Sequence, residues 1–237
     1  MLSTARRSGR RITARLAALA LGVALALSLL PAQAQSPVRD VVPDQRAAQV
    51  ERDFLMGMVP HHRGAIRMSE LALQKATKKE LREFAQRVID AQNHEIALMT
   101  NYLRDWYGMQ PPAGDMPSEA MMHQMTMPMM HGTIPSAQHM MREMQSLEAL
   151  SGSEFDIAYM SMMSEHHTMA VMMATPVLIG GFHGDLYTLA SMIVKDQGEE
   201  IVQLRDWLKG WYGVPRPGYT AEGTRMPMMQ HYGTTHS

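Results

Sequence analysis

FLMGMVPHHRGAIRM at 54–68 and YMSMMSEHHTMAVMM at 159–173 are two versions of one segment. Extended outward, Phe54–Gly108 aligns with Tyr159–Gly213 at a constant offset of 105 without a gap, sharing 15 of 55 positions. The shared residues include Met58 with Met163, His61-His62 with His166-His167, Ala65 with Ala170 and Met68 with Met173. Further on come Gln92 with Gln197, Glu95-Ile96 with Glu200-Ile201, and Trp106-Tyr107-Gly108 with Trp211-Tyr212-Gly213. An ungapped match of this length marks a duplication.

Each copy reads as two helices. Leu81, Phe84, Ala85, Val88, Ile89, Ile96, Met99 and Leu103 fall at helical spacing, as do Leu186, Leu189, Ala190, Ile193, Val194, Ile201, Leu204 and Leu208. Both sets form one apolar stripe that must face a core. Gly108 and Gly213 stand where helix C-caps belong. Pro60 is expected to kink or interrupt the first helix, and Pro176 to end the third. Two duplicated helical hairpins predict an all-α four-helix bundle.

The remaining chain divides by composition. Residues 1–34 have a basic stretch with five Arg, an apolar run Leu16–Leu30 and a small-x-small site at Ala32-Gln33-Ala34. That grammar reads as a secretory signal cut after Ala34, and the run is short for a span of about 20 residues. Arg10-Arg11 is compatible with twin-arginine export. The expected segments are the signal (1–34), a first hairpin repeat (35–108), a Met/His/Pro-rich linker (109–150), a second hairpin repeat (151–213) and a Met/His-containing tail (214–237). No later segment is apolar enough to cross a bilayer, so no membrane span is expected after cleavage, and the protein is expected to be periplasmic or secreted.

Charge and composition exclude several classes. Of 237 residues at net charge −1, removal of the signal leaves 17 basic side chains against 23 acidic ones, a net of −6. That balance is not one of a nucleic-acid binder, which shows a clustered basic stripe. With no Cys, disulfides, thiolate metal sites and Cys nucleophiles are ruled out. No Gly-x-Ser-x-Gly elbow or phosphate-binding Gly-x-x-x-x-Gly-Lys loop occurs. The chain does hold 26 Met and 11 His.

Three constellations carry possible chemistry. In the first, His62 lies one helical turn from Met58, and His167 one turn from Met163. His61 lies two turns from Met68, as His166 does from Met173. Imidazole is the commonest metal-binding side chain, and imidazole with thioether suits copper, the thioether favouring Cu(I). A histidine in a core is otherwise hydrogen-bonded to a carbonyl or carboxylate. The second is Gln92-x-x-Glu95 and Gln197-x-x-Glu200, polar residues continuing an apolar stripe. A buried carboxylate needs a partner, which is a metal, a histidine it orients, or a network that fixes register. The third is Met109–Met144, with 11 Met, 3 His and 5 Pro in 36 residues. Its proline content argues against a packed helix. Met121, Met122, His123, Met125, Met127, Met129, Met130 and His131 there offer many two- and three-sulfur arrangements for a soft monovalent ion. The tail nearly repeats the motif at Met226-Pro227-Met228-Met229-Gln230-His231. Met160, Met163, Met169, Met172 and Met192 read in part as core packing.

The pattern Phe54-x-x-x-Met58-x-x-His61-His62-x-x-Ala65-x-x-Met68, followed by Gln92-x-x-Glu95-Ile96, resembles the family catalogued as domain of unknown function 305. The resemblance spans about 44–108 and 153–213. It implies a ferritin-like four-helix bundle and, as in the periplasmic copper-binding members of the CopM type, Met and His ligation of Cu(I) or Ag(I). Matched by position, it points to His61, His62, Met68, His166, His167 and Met173. The second copy departs from the first, with Glu199 in place of His94 and Glu165 in place of Pro60.

The leading expectation is a copper-binding protein without catalytic activity that sequesters Cu(I) or passes it to another periplasmic copper carrier or exporter. A ferritin-like di-metal oxidase is the enzymatic alternative, though such sites use Glu-x-x-His motifs and none occurs here. The third reading is a non-metal interaction module or a methionine oxidant sink.

Overall fold

The computed structural model describes residues 42–115 and 144–218. Four long helices carry the fold: α1 (Gln45–Lys75), α2 (Lys79–Tyr107), α3 (Gly152–Gly180) and α4 (Gly184–Tyr212). A short helical segment at 144–149 precedes α3. No strand occurs among the described residues, in keeping with the expected all-α bundle.

The helix ends follow local chemistry. The Asp44 carboxylate accepts from Ala47 N at 2.8 Å and caps α1. Gly108 and Gly213 cap α2 and α4 in the left-handed region, at φ 62° and 66°. Met109 N donates to Leu103 O and Val214 N to Leu208 O, both at 3.1 Å, the six-to-one bond of a Schellman ending. Gly181 closes α3 for a different reason: a Cβ there would stand 2.7 Å from Val177 O.

Two expectations are corrected. Pro60 does not break α1, and Pro176 does not end α3, which runs four residues further. Proline removes one backbone donor and crowds the preceding turn. Here burial on both sides outweighs that local cost: Leu55, Met58 and Val59 before Pro60 and His61, His62 and Ala65 after it are all buried. Pro176 is likewise flanked by buried Ala174 and Val177.

The two hairpins are α1–α2 and α3–α4, and they meet chiefly along α1 and α3. These inner helices are buried on every side at mid-length, with unbroken buried runs at Gly57–His62 and Ala158–Ser164. By contrast α2 and α4 bury one stripe each. The inner pair is antiparallel. Glu51, near the start of α1, binds Phe182 and His183 beyond the end of α3, whereas Thr77, beyond the end of α1, binds Asp156 near the start of α3.

Those contacts form a reciprocal tie. Glu51 accepts from Phe182 N and His183 N, both at 2.7 Å, from His183 Nδ1 at 2.6 Å and from the Tyr107 hydroxyl. Asp156, exactly one repeat later in the alignment's offset, accepts from Thr77 N at 2.9 Å, from the Thr77 hydroxyl and from Tyr212 Oη at 2.6 Å. Each inner helix therefore supplies the carboxylate that holds the start of the other hairpin's second helix. The Trp-Tyr-Gly ends contribute the tyrosines and stack beside them: Trp106 lies on His183 at 3.9 Å, and Lys78 Nζ sits 5.9 Å from the Trp211 ring centroid.

Apolar packing splits into two layers. One contains Phe54, Leu55, Met58, Met99, Leu103, Met173, Val177 and Ile193. The other contains Met68, Leu81, Phe84, Phe155, Tyr159, Met160, Met163 and Leu204. Between them the inner helices carry their histidines.

Candidate metal centre

Successive helical residues point about 100° apart, and each His pair divides its work accordingly. His61 and His166 turn toward one another across the hairpin interface, with ring centroids 3.7 Å apart and planes inclined by 35°. His62 turns into its own hairpin, where Nε2 lies 2.6 Å from Glu95 Oε2 in a hydrogen bond. His167 Nε2 lies 2.7 Å from Glu200 Oε2, the matching carboxylate–imidazole contact of the second hairpin. The four imidazoles form one row, the rings within each pair being 6.3 and 6.4 Å apart.

All four histidines are buried. Burial, reinforced by the neighbouring imidazoles, holds His61 and His166 well below the ordinary histidine value of 6.5, so both are neutral at pH 7 and keep a free lone pair. Neither ring nitrogen of either residue has a hydrogen-bond partner, nor has Nδ1 of His62 or His167. An unsatisfied buried polar group costs about 1–3 kcal/mol. Gln92 Oε1 and both amide atoms of Gln197 are also buried without partners. Unmet polar atoms are thus concentrated on the four histidines and two glutamines of an otherwise apolar interior.

Thioethers border it on both sides. Met58 and Met173 occupy one apolar layer with Met99; Met68 and Met163 occupy the other with Met160 and Met162. Because the inner helices are antiparallel, each layer combines a methionine ahead of one His pair with a methionine behind the other. The two combinations are equivalent under the repeat. Imidazole and thioether together are a soft donor set suited to a monovalent copper-group ion. Among the described residues, no set of three or more His, Asp or Glu side chains is placed to hold a metal ion without sulfur.

The structure brings His61 against His166, His62 against Glu95 and His167 against Glu200, and it buries Met58 and Met173 in one apolar cluster and Met68 and Met163 in the other. Met121, Met122, His123, Met125, Met127, Met129, Met130 and His131 lie outside the described residues. The linker's ends are placed: Arg63 donates to Pro112 O and Gly114 O at 2.5 and 3.1 Å, and Arg67 meets Asp115 at 3.6 Å and Glu148 at 3.0 Å. Both ends therefore rest on α1, at Arg63 directly after the first His pair and at Arg67 little more than one turn beyond it. Glu51, Asp156 and His183 were not singled out by the sequence reading. Glu51 and Asp156 had a signal in the same offset of 105, which pairs them just ahead of the aligned block, whereas His183 aligns with Lys78 and had none.

Comparison with known proteins agrees with this architecture. The model of the family described as Domain of unknown function (DUF305) matches residues 51–208 and again 157–235. No curated protein matches the chain. CopM in its Cu(I)-bound form is similar at 29% identity and TM-score 0.54, over 69% of this chain and 98% of that one. CopM in an Ag-bound form gives the same identity and TM-score, over 69% and 97%. A DUF305 protein from Streptomyces coelicolor is similar at 25% identity and TM-score 0.56, over 68% and 93%. Since the family model spans both hairpins and the segment joining them, this chain belongs to the DUF305 family.

Proposed function

We propose that the protein binds Cu(I), and Ag(I) in its place, at the histidine–methionine centre, and that it holds or hands on the ion without catalysing a reaction. The observation that carries this reading is the His61–His166 pair: four buried, unpartnered ring nitrogens on neutral imidazoles, between layers that contain Met58, Met173, Met68 and Met163. The similarity to CopM, whose structures include Cu(I)-, Cu(II)- and Ag-bound forms, supports it. Copper is cargo here. His61, His166 and the bordering thioethers are the proposed ligands, while Glu95 and Glu200 orient His62 and His167.

The Met/His linker is the proposed collector, because its two ends are held on α1 beside the first His pair. Ions then move between thioether and imidazole donors in small steps rather than being released to water. The natural recipients are another copper carrier or an exporter outside the cytoplasm. No described helix is long and apolar enough to cross a membrane; the signal-like composition of residues 1–34 supports a location in the periplasm or beyond.

The test is an anaerobic Cu(I) titration against a chromophoric chelator, with Zn(II) as a second competitor, on the wild-type chain and on a His61→Leu/His166→Leu variant. Tight stoichiometric Cu(I) binding that Zn(II) fails to displace, and that falls at least tenfold in the variant, is the expected result. Equal or tighter Zn(II) binding contradicts the thioether role, and unchanged Cu(I) binding by the variant removes the His pair from the site.

A further inference from the structure

One apolar layer beside the His61–His166 pair receives a methionine from each of three helices. Met58 comes from α1, Met99 from α2 and Met173 from α3, and all three are buried members of one cluster. The register brings them to a common depth. His62 meets Glu95 across the first hairpin, so Met99, four residues after Glu95, falls opposite Met58, four residues before His62. His61 meets His166 across the antiparallel inner helices; Met58 lies three residues ahead of the one and Met173 seven beyond the other, on the same side of the pair. At 1.5 Å per residue those two levels differ by about 6 Å, close to one turn. Methionine is unbranched, with three rotatable bonds, and spans such a gap.

Packing alone does not call for a thioether at residue 99. One repeat later the same place is held by Leu204, fully buried like Met99 but in the other layer. Leucine and methionine exchange at conserved volume, so the bundle closes with either. Met58 and Met173 differ in this respect, since both recur as methionine, at Met163 and Met68. The other layer has added sulfurs of its own, Met160 and Met162, but these stand on α3 together with Met163. Its buried thioethers therefore come from two helices, α1 and α3, and those of the Met99 layer from three. On the fourth side of the Met99 layer α4 supplies Leu189 and Ile193.

We propose that Met58, Met99 and Met173 form a three-sulfur seat for Cu(I) or Ag(I), and that Met99 makes this side of the duplicated centre the tighter one. This rests on the metal-binding reading above and adds to it a ligand and a preferred side. Thioethers are soft, uncharged donors that select a monovalent copper-group ion and offer little to Zn(II). Sulfurs arriving from three helices enclose an ion, whereas sulfurs from two can only flank it. Met58 and His61 are three residues apart on one helix and are neighbours on its surface. An ion in the seat is thus adjacent to the imidazole pair, and the two donor types can exchange it over a single step.

The experiment titrates Ag(I) into the full chain, with affinity read by chelator competition and the sulfurs read by NMR of methionine methyl groups labelled with carbon-13. Met99→Leu installs the residue that the other hairpin already uses, so the ion-free variant is expected to unfold at nearly the wild-type temperature. Loss of an outer partner of a metal ligand costs about 10–100-fold in affinity, and loss of the ligand itself should cost at least as much: Met99→Leu is expected to weaken Ag(I) binding by about tenfold or more. Met160→Leu, the matching change in the other layer, is expected to weaken it less than about twofold. The methyl signal that disappears in Met99→Leu should be one that Ag(I) shifts in the wild-type chain, together with those of Met58 and Met173. Adding Leu204→Met to Met99→Leu, which supplies a third helix to the other layer, is expected to restore tight binding. Unchanged affinity in Met99→Leu with the Met99 methyl unmoved by Ag(I), or an equal loss in Met160→Leu, overturns the assignment. Absence of any Ag(I) binding by the wild-type chain refutes the metal reading instead.

Discussion

Replacing Glu51 by Ala removes one carboxylate that serves two hairpins. It accepts from the backbone N–H groups of Phe182 and His183 at 2.7 Å, from His183 Nδ1 at 2.6 Å and from the Tyr107 hydroxyl. A hydrogen bond to a charged group contributes about 1.5–3 kcal/mol, and an N-cap about 1 kcal/mol. The four bonds do not add, because the donors are only part-buried and water replaces some of the loss. A net destabilisation of about 3–4 kcal/mol follows, or roughly 10 °C in Tm for a domain of this size. Burial disfavours the charge on Glu51, but hydrogen bonds from Tyr107, His183 and Phe182 outweigh it and hold the group below its ordinary 4.5. A carboxylate shifted this way stabilises the fold above its unfolded value, and the stabilisation is lost as pH falls through the folded value. Urea unfolding followed by far-UV circular dichroism at pH 7 and in acid measures both effects. The difference between wild type and Glu51→Ala should be several kcal/mol at pH 7 and shrink below about pH 4.5. Asp156→Ala, with the equivalent role and three bonds in place of four, should cost somewhat less. A Glu51→Ala loss under about 1 kcal/mol, or one that does not change with pH, would refute the reciprocal tie.

Other consequences concern the centre. A Met58→Leu/Met173→Leu variant conserves volume and should cost less than about 1.5 kcal/mol of stability per site, yet lower Ag(I) affinity at least tenfold in a chelator competition. Saturating Ag(I) at 100 times its Kd should stabilise the wild-type chain by about 2.7 kcal/mol; a thermal shift in His61→Leu/His166→Leu equal to that of wild type would sink the His-pair assignment. Burial holds His61 and His166 well below 6.5, so the unfolded chain takes up protons first as pH falls. The ion-free protein should therefore lose stability progressively below pH 6.5, and less steeply in the double Leu variant, as read from denaturation midpoints across that window.

Much of the fold was legible because a duplication states its own periodicity. The stripes of α2 and α4 and the glycine caps at Gly108 and Gly213 are local features, and they stand where spacing places them. The prolines misled because a proline signal is local, while the burial of Val59, Pro60, His61 and His62 that keeps α1 continuous is tertiary. At the centre, helical geometry foretold that neighbouring histidines must face different ways. It did not say that His61 would meet His166 while His62 met Glu95, since that choice depends on which helix lies across the interface. Glu51 and Asp156 escaped for a similar reason: the helix each one holds belongs to the other hairpin, so within the sequence only their pairing at the offset of 105 marks them.

Ring-nitrogen NMR of the eleven histidines during an Ag(I) titration tests the central claim most directly. If the account is right, the His61 and His166 signals shift together, in proportion to added ion, until the bundle site is full. Shifts confined to His123, His131, His139 and the tail histidines, with His61 and His166 unmoved, would contradict it and leave the buried pair a structural feature.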